Sequence, residues 1–163
     1  MQTKPIRPAT TGDTAAIRAI AIATGLFDAE SWLDVETVLA QCVRGELEDH
    51  TWVVLEEDRH GVVGAAYYAR EPFSHQMWNM YFLGVLPGHQ GDGTGAALVA
   101  HVEEVLRDRK ERVLIIETSG VDSFEPTRAF YRKQGYDEEA RIREFYGPGD
   151  DKIVFWKALY EKD

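Results

Sequence analysis

The stretch Val85–Leu106, VLPGHQGDGTGAALVAHVEEVL, decides how this chain is read. An apolar strand end gives way to a loop carrying Gly88, Gly91, Gly93 and Gly95, and the loop runs straight into an amphipathic helix. The first N–H groups of a helix have no partner within it, and the helix dipole places partial positive charge there. Glycine lets such a backbone close around an anion. Gln90 to Ala96 is therefore suited to a phosphate or pyrophosphate. The same composition also suits a strand-to-helix turn that holds no ligand.

Outward from the loop, periodicity and turn residues mark the other elements. Upstream, Lys4–Pro8 reads as a short strand, and Thr11 or Asp13 is a candidate N-cap for a helix with Ile17 and Ile20 on one face. AESWLDVETVLAQCVRG reads as a second helix stopped by Gly45. HTWVVLEEDRHGVVGAAYYAR reads as a hairpin turning at Glu57 to Gly61, and MWNMYFLGVLP as a third strand ended by Pro87. Downstream, the helix from Thr94 runs to about Lys110. VLIIET, Val113–Thr118, is an apolar strand of the buried central kind. EPTRAFYRKQG is a helix with Pro126 in its first turn and Gly135 closing it. YDEEARIREFY and DKIVFWKALY are terminal strands joined by GPGD. The order β-α-α-β-β-β-α-β-α-β-β implies an α/β (α+β, three-layer) fold with a mixed central sheet.

Composition sets the outer bounds. The 163 residues suit one domain over 1–163, and 44% apolar with 28% charged residues is ordinary for a globular chain. No apolar run has the length of a membrane span, and the N-terminal MQTKPIRPATTGD carries no signal core. Cys42 is the single cysteine, so a cytoplasmic location is expected. The net charge of −10 and the absence of a basic run argue against nucleic acid; an acidic surface either serves solubility alone or attracts cationic partners such as amines. No His/Cys/Asp/Glu cluster has metal-ligand spacing.

Three phosphate binders compete for the loop. A P-loop is rejected because Thr94 stands where lysine is required. Gly91-Asp-Gly-Thr-Gly-Ala96 fits a dinucleotide fingerprint, with Glu111 or Glu117 as a ribose acid, but it lies past the midpoint with too little chain left for further parallel strands. The third is coenzyme A. Val85-Leu-Pro87, then Gln90-Gly-Asp-Gly-Thr-Gly95, and downstream Ala129-Phe-Tyr131 with Gly135-Tyr136, together resemble the GNAT N-acetyltransferase superfamily. IRPATTGDTAAIRAI at the start is also typical of it, and the element order matches throughout.

The resemblance implies a GNAT-type sheet of six to seven strands flanked by about four helices, and acetyl-CoA as co-substrate with no metal. The implied reaction is acetyl transfer to a primary amine, on a small molecule or a peptide N-terminus. A non-catalytic acetyl-CoA-binding module is the alternative, and a homodimer is compatible with either. Gln90, Gly91, Asp92, Gly93, Thr94, Gly95 and Ala96 would hold the pyrophosphate. Leu83, Gly84 and Val85 would pair with the pantetheine arm at a bulge, which glycine in a strand often marks. Tyr131 is the implied general acid and Glu117 the candidate base. Asp92 is expected to point away from the anion. Phe124 stands where the family usually has an asparagine, so that role is not carried over. Phe27, Trp32, Tyr67, Phe145 and Tyr146 are candidate acceptor contacts, with Asp28 and Glu30 as acidic ones.

Overall fold

A computed structural model describes residues 4–161. The first three residues of the N-terminal stretch and the two ends of the expected domain lie outside it. Seven strands and four helices follow the expected order. They are β1 (Ile6–Pro8), α1 (Thr14–Ala23), α2 (Trp32–Val43), β2 (His50–Glu57), β3 (Gly61–Arg70), β4 (Met77–Val85), α3 (Thr94–Asp108), β5 (Val113–Ser119), α4 (Glu125–Lys133), β6 (Asp137–Gly147) and β7 (Asp150–Ala158). Short 3₁₀ turns, Thr11–Asp13 and Asp122–Phe124, lead into α1 and α4. The strand order is β1-β2-β3-β4-β5-β7-β6. β4 and β5 run parallel, and the ladders β1–β2, β2–β3, β5–β7 and β6–β7 are antiparallel, so the sheet is mixed as expected. No helix among the described residues is long and apolar enough to cross a membrane.

The chain divides into two compact units. The first comprises residues up to Ala69 together with Phe82–Val102. Its core joins Ile17, Ile20 and Ala21 of α1 and Trp32 and Leu39 of α2 to Trp52 and Val54 of β2, Ala65 of β3 and Phe82. Burying each large side chain contributes about 1.5–3 kcal/mol. Gly64 exists for closeness: a Cβ there would meet Leu98 and Thr94 at 2.9 Å, so the start of α3 lies directly on β3. Asp13 does not cap α1 with its side chain. Its carboxylate accepts instead from the Thr10 N–H (2.7 Å) and from Arg7 through both oxygens (2.8 and 3.0 Å).

The second unit comprises Arg70–Tyr81 and residues from Glu103 on. Along its strands side chains alternate between faces. Trp78, Met80, Leu114, Ile116, Ile153 and Phe155 are buried apolar residues. The alternate positions Asn79, Glu117 and Lys152 point the other way. Tyr131 of α4 rests on Phe155, ring centres 5.4 Å apart. Arg128, also buried, donates to the carbonyls of Ser119 (2.7 Å) and Val121 (2.9 Å) and so fastens α4 to the end of β5. Glu103 is buried against Lys157 (2.7 Å), Arg107 (3.3 Å) and the Tyr136 hydroxyl (3.3 Å). Gly135, with φ +90°, closes α4 as its sequence position predicts.

Candidate active site

The glycine loop in the first unit is built by local chemistry. Gly91 and Gly93 have φ of +81° and +88°, a region that glycine enters without a Cβ clash. Gly88 and Gly95 are not left-handed. Gln90 Nε2 donates to the Val85 carbonyl at 3.0 Å and folds the loop back on the end of β4. The first bond of α3 runs from Ala97 N–H to the Gly93 carbonyl, 2.9 Å. Among the described residues no carbonyl accepts the Gly95 and Ala96 N–H groups, as is usual in the first turn of a helix.

Asp92 departs from expectation. It folds inward and caps the helix: Oδ1 accepts from the Thr94 N–H (3.1 Å) and the Thr94 hydroxyl (2.6 Å). Lys4 Nζ lies 3.2 Å from Asp92 and donates to Thr94 Oγ1 at 2.8 Å. The Thr94 hydrogen bonds, with the Lys4 ammonium, hold the Asp92 carboxyl down at about 2. The loop thus offers an anion two N–H groups and a carboxylate already neutralised by a lysine. Folding also gathers Glu57, His89 and Asp92, whose ligand atoms lie within 4.8 Å of one another, a convergence that linear spacing does not reveal. Lys4 sits 3.9 Å from Glu57 and supplies the positive charge of that cluster.

Gly84 is closely packed. A Cβ there would stand 2.7 Å from Ile20 and 3.0 Å from the Phe82 ring. Its backbone is not left-handed, and the register shifts among the described ladders fall elsewhere, on β2 and β6. The β4–β5 register runs from Met77↔Val113 to Met80↔Ile116 and stops there. Leu83, Gly84 and Val85 therefore continue β4 beyond its parallel ladder.

In the second unit, Glu117 is held from two sides. Asn79 Nδ2 donates to Oε1 at 3.0 Å, and Lys152 Nζ lies 2.8 Å from Oε2. Lys152 is itself buried, its ammonium 3.5 Å from the centre of the Phe145 ring. The Tyr131 side chain is 5% exposed, and burial pushes its phenol above the ordinary value, with the nearby Tyr146 adding to the shift. Tyr146 is half exposed and is pushed up to about 12 by burial and then by the charges of Glu117 and Asp150. Glu117 and Phe155, on which Tyr131 rests, point to alternate faces of the β5–β7 pair, and Tyr146 is within electrostatic reach of both Glu117 and Tyr131.

Several expected acceptor contacts change. Trp32 is wholly buried in the core of the first unit and lines nothing. Phe27 stacks on Phe82 (6.1 Å) and Tyr67 on Trp52 (4.8 Å), with the Tyr67 hydroxyl hydrogen-bonded to His50 Nδ1. Asp28 spends its carboxylate on the Ser31 N–H (2.8 Å) and hydroxyl (2.7 Å). Phe145 and Tyr146 are the exposed members, 54% and 47%. Asn79 was missed: one asparagine in an apolar strand was the only sequence signal of it.

Against known proteins, the profile of the acetyltransferase (GNAT) family matches residues 13–136. A solved structure from Desulfovibrio desulfuricans, assigned to the GNAT acetyltransferases, is 29% identical with a TM-score of 0.88, covering 96% of this chain and 99% of that one. A ribosomal-protein-alanine N-acetyltransferase from Brucella melitensis is 25% identical, TM-score 0.71, covering 94% and 99%. An acetyltransferase from Salmonella typhimurium, solved with its cofactor acetyl-CoA, shares the fold at 22% identity and TM-score 0.76, covering 99% and 96%. No curated protein matches. With three quarters of its length inside the profile and its element order reproduced, the chain belongs to the acetyltransferase (GNAT) family.

Proposed function

We propose that the protein transfers an acetyl group from acetyl-CoA to a primary amine, on a small molecule or a peptide N-terminus. The observation that carries this reading is the loop: left-handed Gly91 and Gly93, with unaccepted N–H groups at Gly95 and Ala96, in a chain of the GNAT family. These groups fit a pyrophosphate, because they present aligned N–H dipoles at a helix N-terminus. Leu83, Gly84 and Val85, free of the parallel ladder, suit pairing with an amide-bearing arm as an added strand would. Acetyl-CoA, when bound, supplies an activated acyl carbon on a thiol leaving group.

The chain's residues supply positioning and proton management. Glu117 takes a proton from the acceptor ammonium, directly or through water, so that the amine lone pair is free. The new C–N bond forms as the C–S bond breaks, the thiol sulfur leaves with a proton, and the nitrogen sheds its excess proton to solvent as it becomes an amide, solvent restoring the proton that the acid gave up. Tyr131 Oη is the proposed donor of the proton on sulfur. Its burial raises its pKa, so it stays protonated until a strong base develops beside it. The single thiol, Cys42, suits a reducing compartment, and we place the protein in the cytoplasm.

The ion pair of Glu117 with Lys152 favours a second reading, in which the chain binds acetyl-CoA without turning it over. Thiol release across a panel of amines and peptides separates the two. Release that depends on an acceptor supports the enzyme. Acetyl-CoA binding with no release from any acceptor supports the module.

A further inference from the structure

Asn79 is wholly buried in β4, yet both hydrogens of its amide are used on carboxylates. Nδ2 donates to Glu117 Oε1 at 3.0 Å and to Glu71 Oε2 at 3.4 Å. The orientation of the amide follows from this, because the flipped form would turn an oxygen towards two acids. Asn79 Oδ1 is left buried and without any hydrogen-bond partner. A buried acceptor without a partner is costly, and an N–H donor that reached it would be favoured.

Glu71 is the second unusual group. It is half-buried directly after β3, and the Tyr81 hydroxyl donates to the same Oε2 at 2.7 Å. Among the described residues no lysine, arginine or histidine pairs with it. Among the carboxylates of the described residues, Lys152 pairs with Glu117. Two carboxylates against one ammonium leave one negative charge uncompensated, in a cluster richer in acceptors than donors. Exposed rings stand on β4 itself (Tyr81) and on β6 (Phe145 and Tyr146), where Phe145 lies over the Lys152 ammonium. The complement of such a place is a compact organic cation with several N–H donors and an aliphatic stem.

We propose that Glu71, Asn79 and Tyr81 form an acidic subsite beside Glu117 that holds a second ammonium group of the acceptor, so the preferred acceptor is a short-chain diamine or a similarly spaced dication. This rests on the reading of Glu117 as the residue that meets the acceptor amine. The two carboxylates touch the same amide nitrogen, so their oxygens lie no more than two hydrogen-bond lengths apart, and a spacer of three to five carbons spans them.

The test is calorimetric titration of the full chain with 1,4-diaminobutane and with n-butylamine, each with acetyl-CoA absent and present. The expected result is at least tenfold tighter binding of the diamine. Glu71→Gln should bring the two within about twofold of each other, Glu71→Asp should keep part of the preference, and Glu104→Gln, which removes an exposed charge from α3, should leave it intact. Melting temperatures near that of the unaltered chain show that each variant is folded. Equal binding of both amines, a preference indifferent to Glu71→Gln, or tighter binding of Ca²⁺ than of the diamine at the same residues would each overturn the proposal. Failure of thiol release with every acceptor, alongside a Glu71-dependent diamine preference, would count against the enzymatic reading and leave the subsite standing.

Discussion

At the scale of residues, Tyr131 and Glu117 carry different kinds of evidence. Tyr131 is buried on Phe155 with its phenol pushed upward, a state suited to giving a proton late. Tyr131→Phe should lower kcat roughly a hundredfold while changing KM for acetyl-CoA only a few-fold, since removing a general acid costs the chemical step rather than binding. Steady-state kinetics with any accepted amine checks this, and an unchanged kcat removes Tyr131 from the role. Asp92 makes a separate point. One residue in the anion loop looks like a repulsive charge in the sequence, and its neutralising partner, Lys4, is 88 positions away. No local pattern could have paired them.

At the scale of elements, the strands and helices were legible because each carries its own period and its own stop signal. Gly45 ends α2, Pro87 follows β4 and Gly135 closes α4, all within a residue or two of expectation. The reasons behind some positions were not legible. Gly84 reads as a bulge signal, and nothing in the sequence shows how closely it packs on Ile20. Gly84→Ala should therefore destabilise by about 1–3 kcal/mol through overpacking, measured by denaturant unfolding. Combining it with Ile20→Val should cost less than the sum of the two single changes. Additive costs would mean the two positions do not compete for space. Asn79, Glu103 and Arg128 were equally hidden, because each is a polar residue whose partners come from a different element. Glu103→Ala should cost about 1–3 kcal/mol in denaturant unfolding, because it leaves the half-buried Lys157 ammonium and the buried Tyr136 hydroxyl without their carboxylate, while the exposed Arg107 turns to water.

At the scale of the whole molecule, ionisation sets stability at both ends of the pH range. Asp13 and Asp92 have folded values below their unfolded ones, through Arg7 and through Thr94 with Lys4 respectively. Their contribution is present above about pH 4 and is lost as pH falls towards the folded value, about 2 for Asp92. Tyr131 and Tyr136 are raised by burial, so their contribution is present below the unfolded value near 10 and is lost as pH rises above it. Melting temperature against pH should be flat between these limits, and Asp13→Asn should flatten the acid limb. An acid limb unchanged by that substitution would deny Asp13 its share. The family, the mixed sheet and the loop were all legible because two motifs stood at their proper separation in the proper order of elements. The acceptor was not, because no motif marks side chains such as Glu71 and Tyr81, which come together only in the fold.

The account stands on the loop holding the pyrophosphate of coenzyme A. The direct measurement is calorimetric titration of the protein with acetyl-CoA, repeated with Gly93→Val, which forces a β-branched residue into a left-handed position at φ +88°. The account predicts saturable one-to-one binding that Gly93→Val weakens more than tenfold. No binding at about millimolar acetyl-CoA, or tighter binding of NAD than of acetyl-CoA, would contradict it.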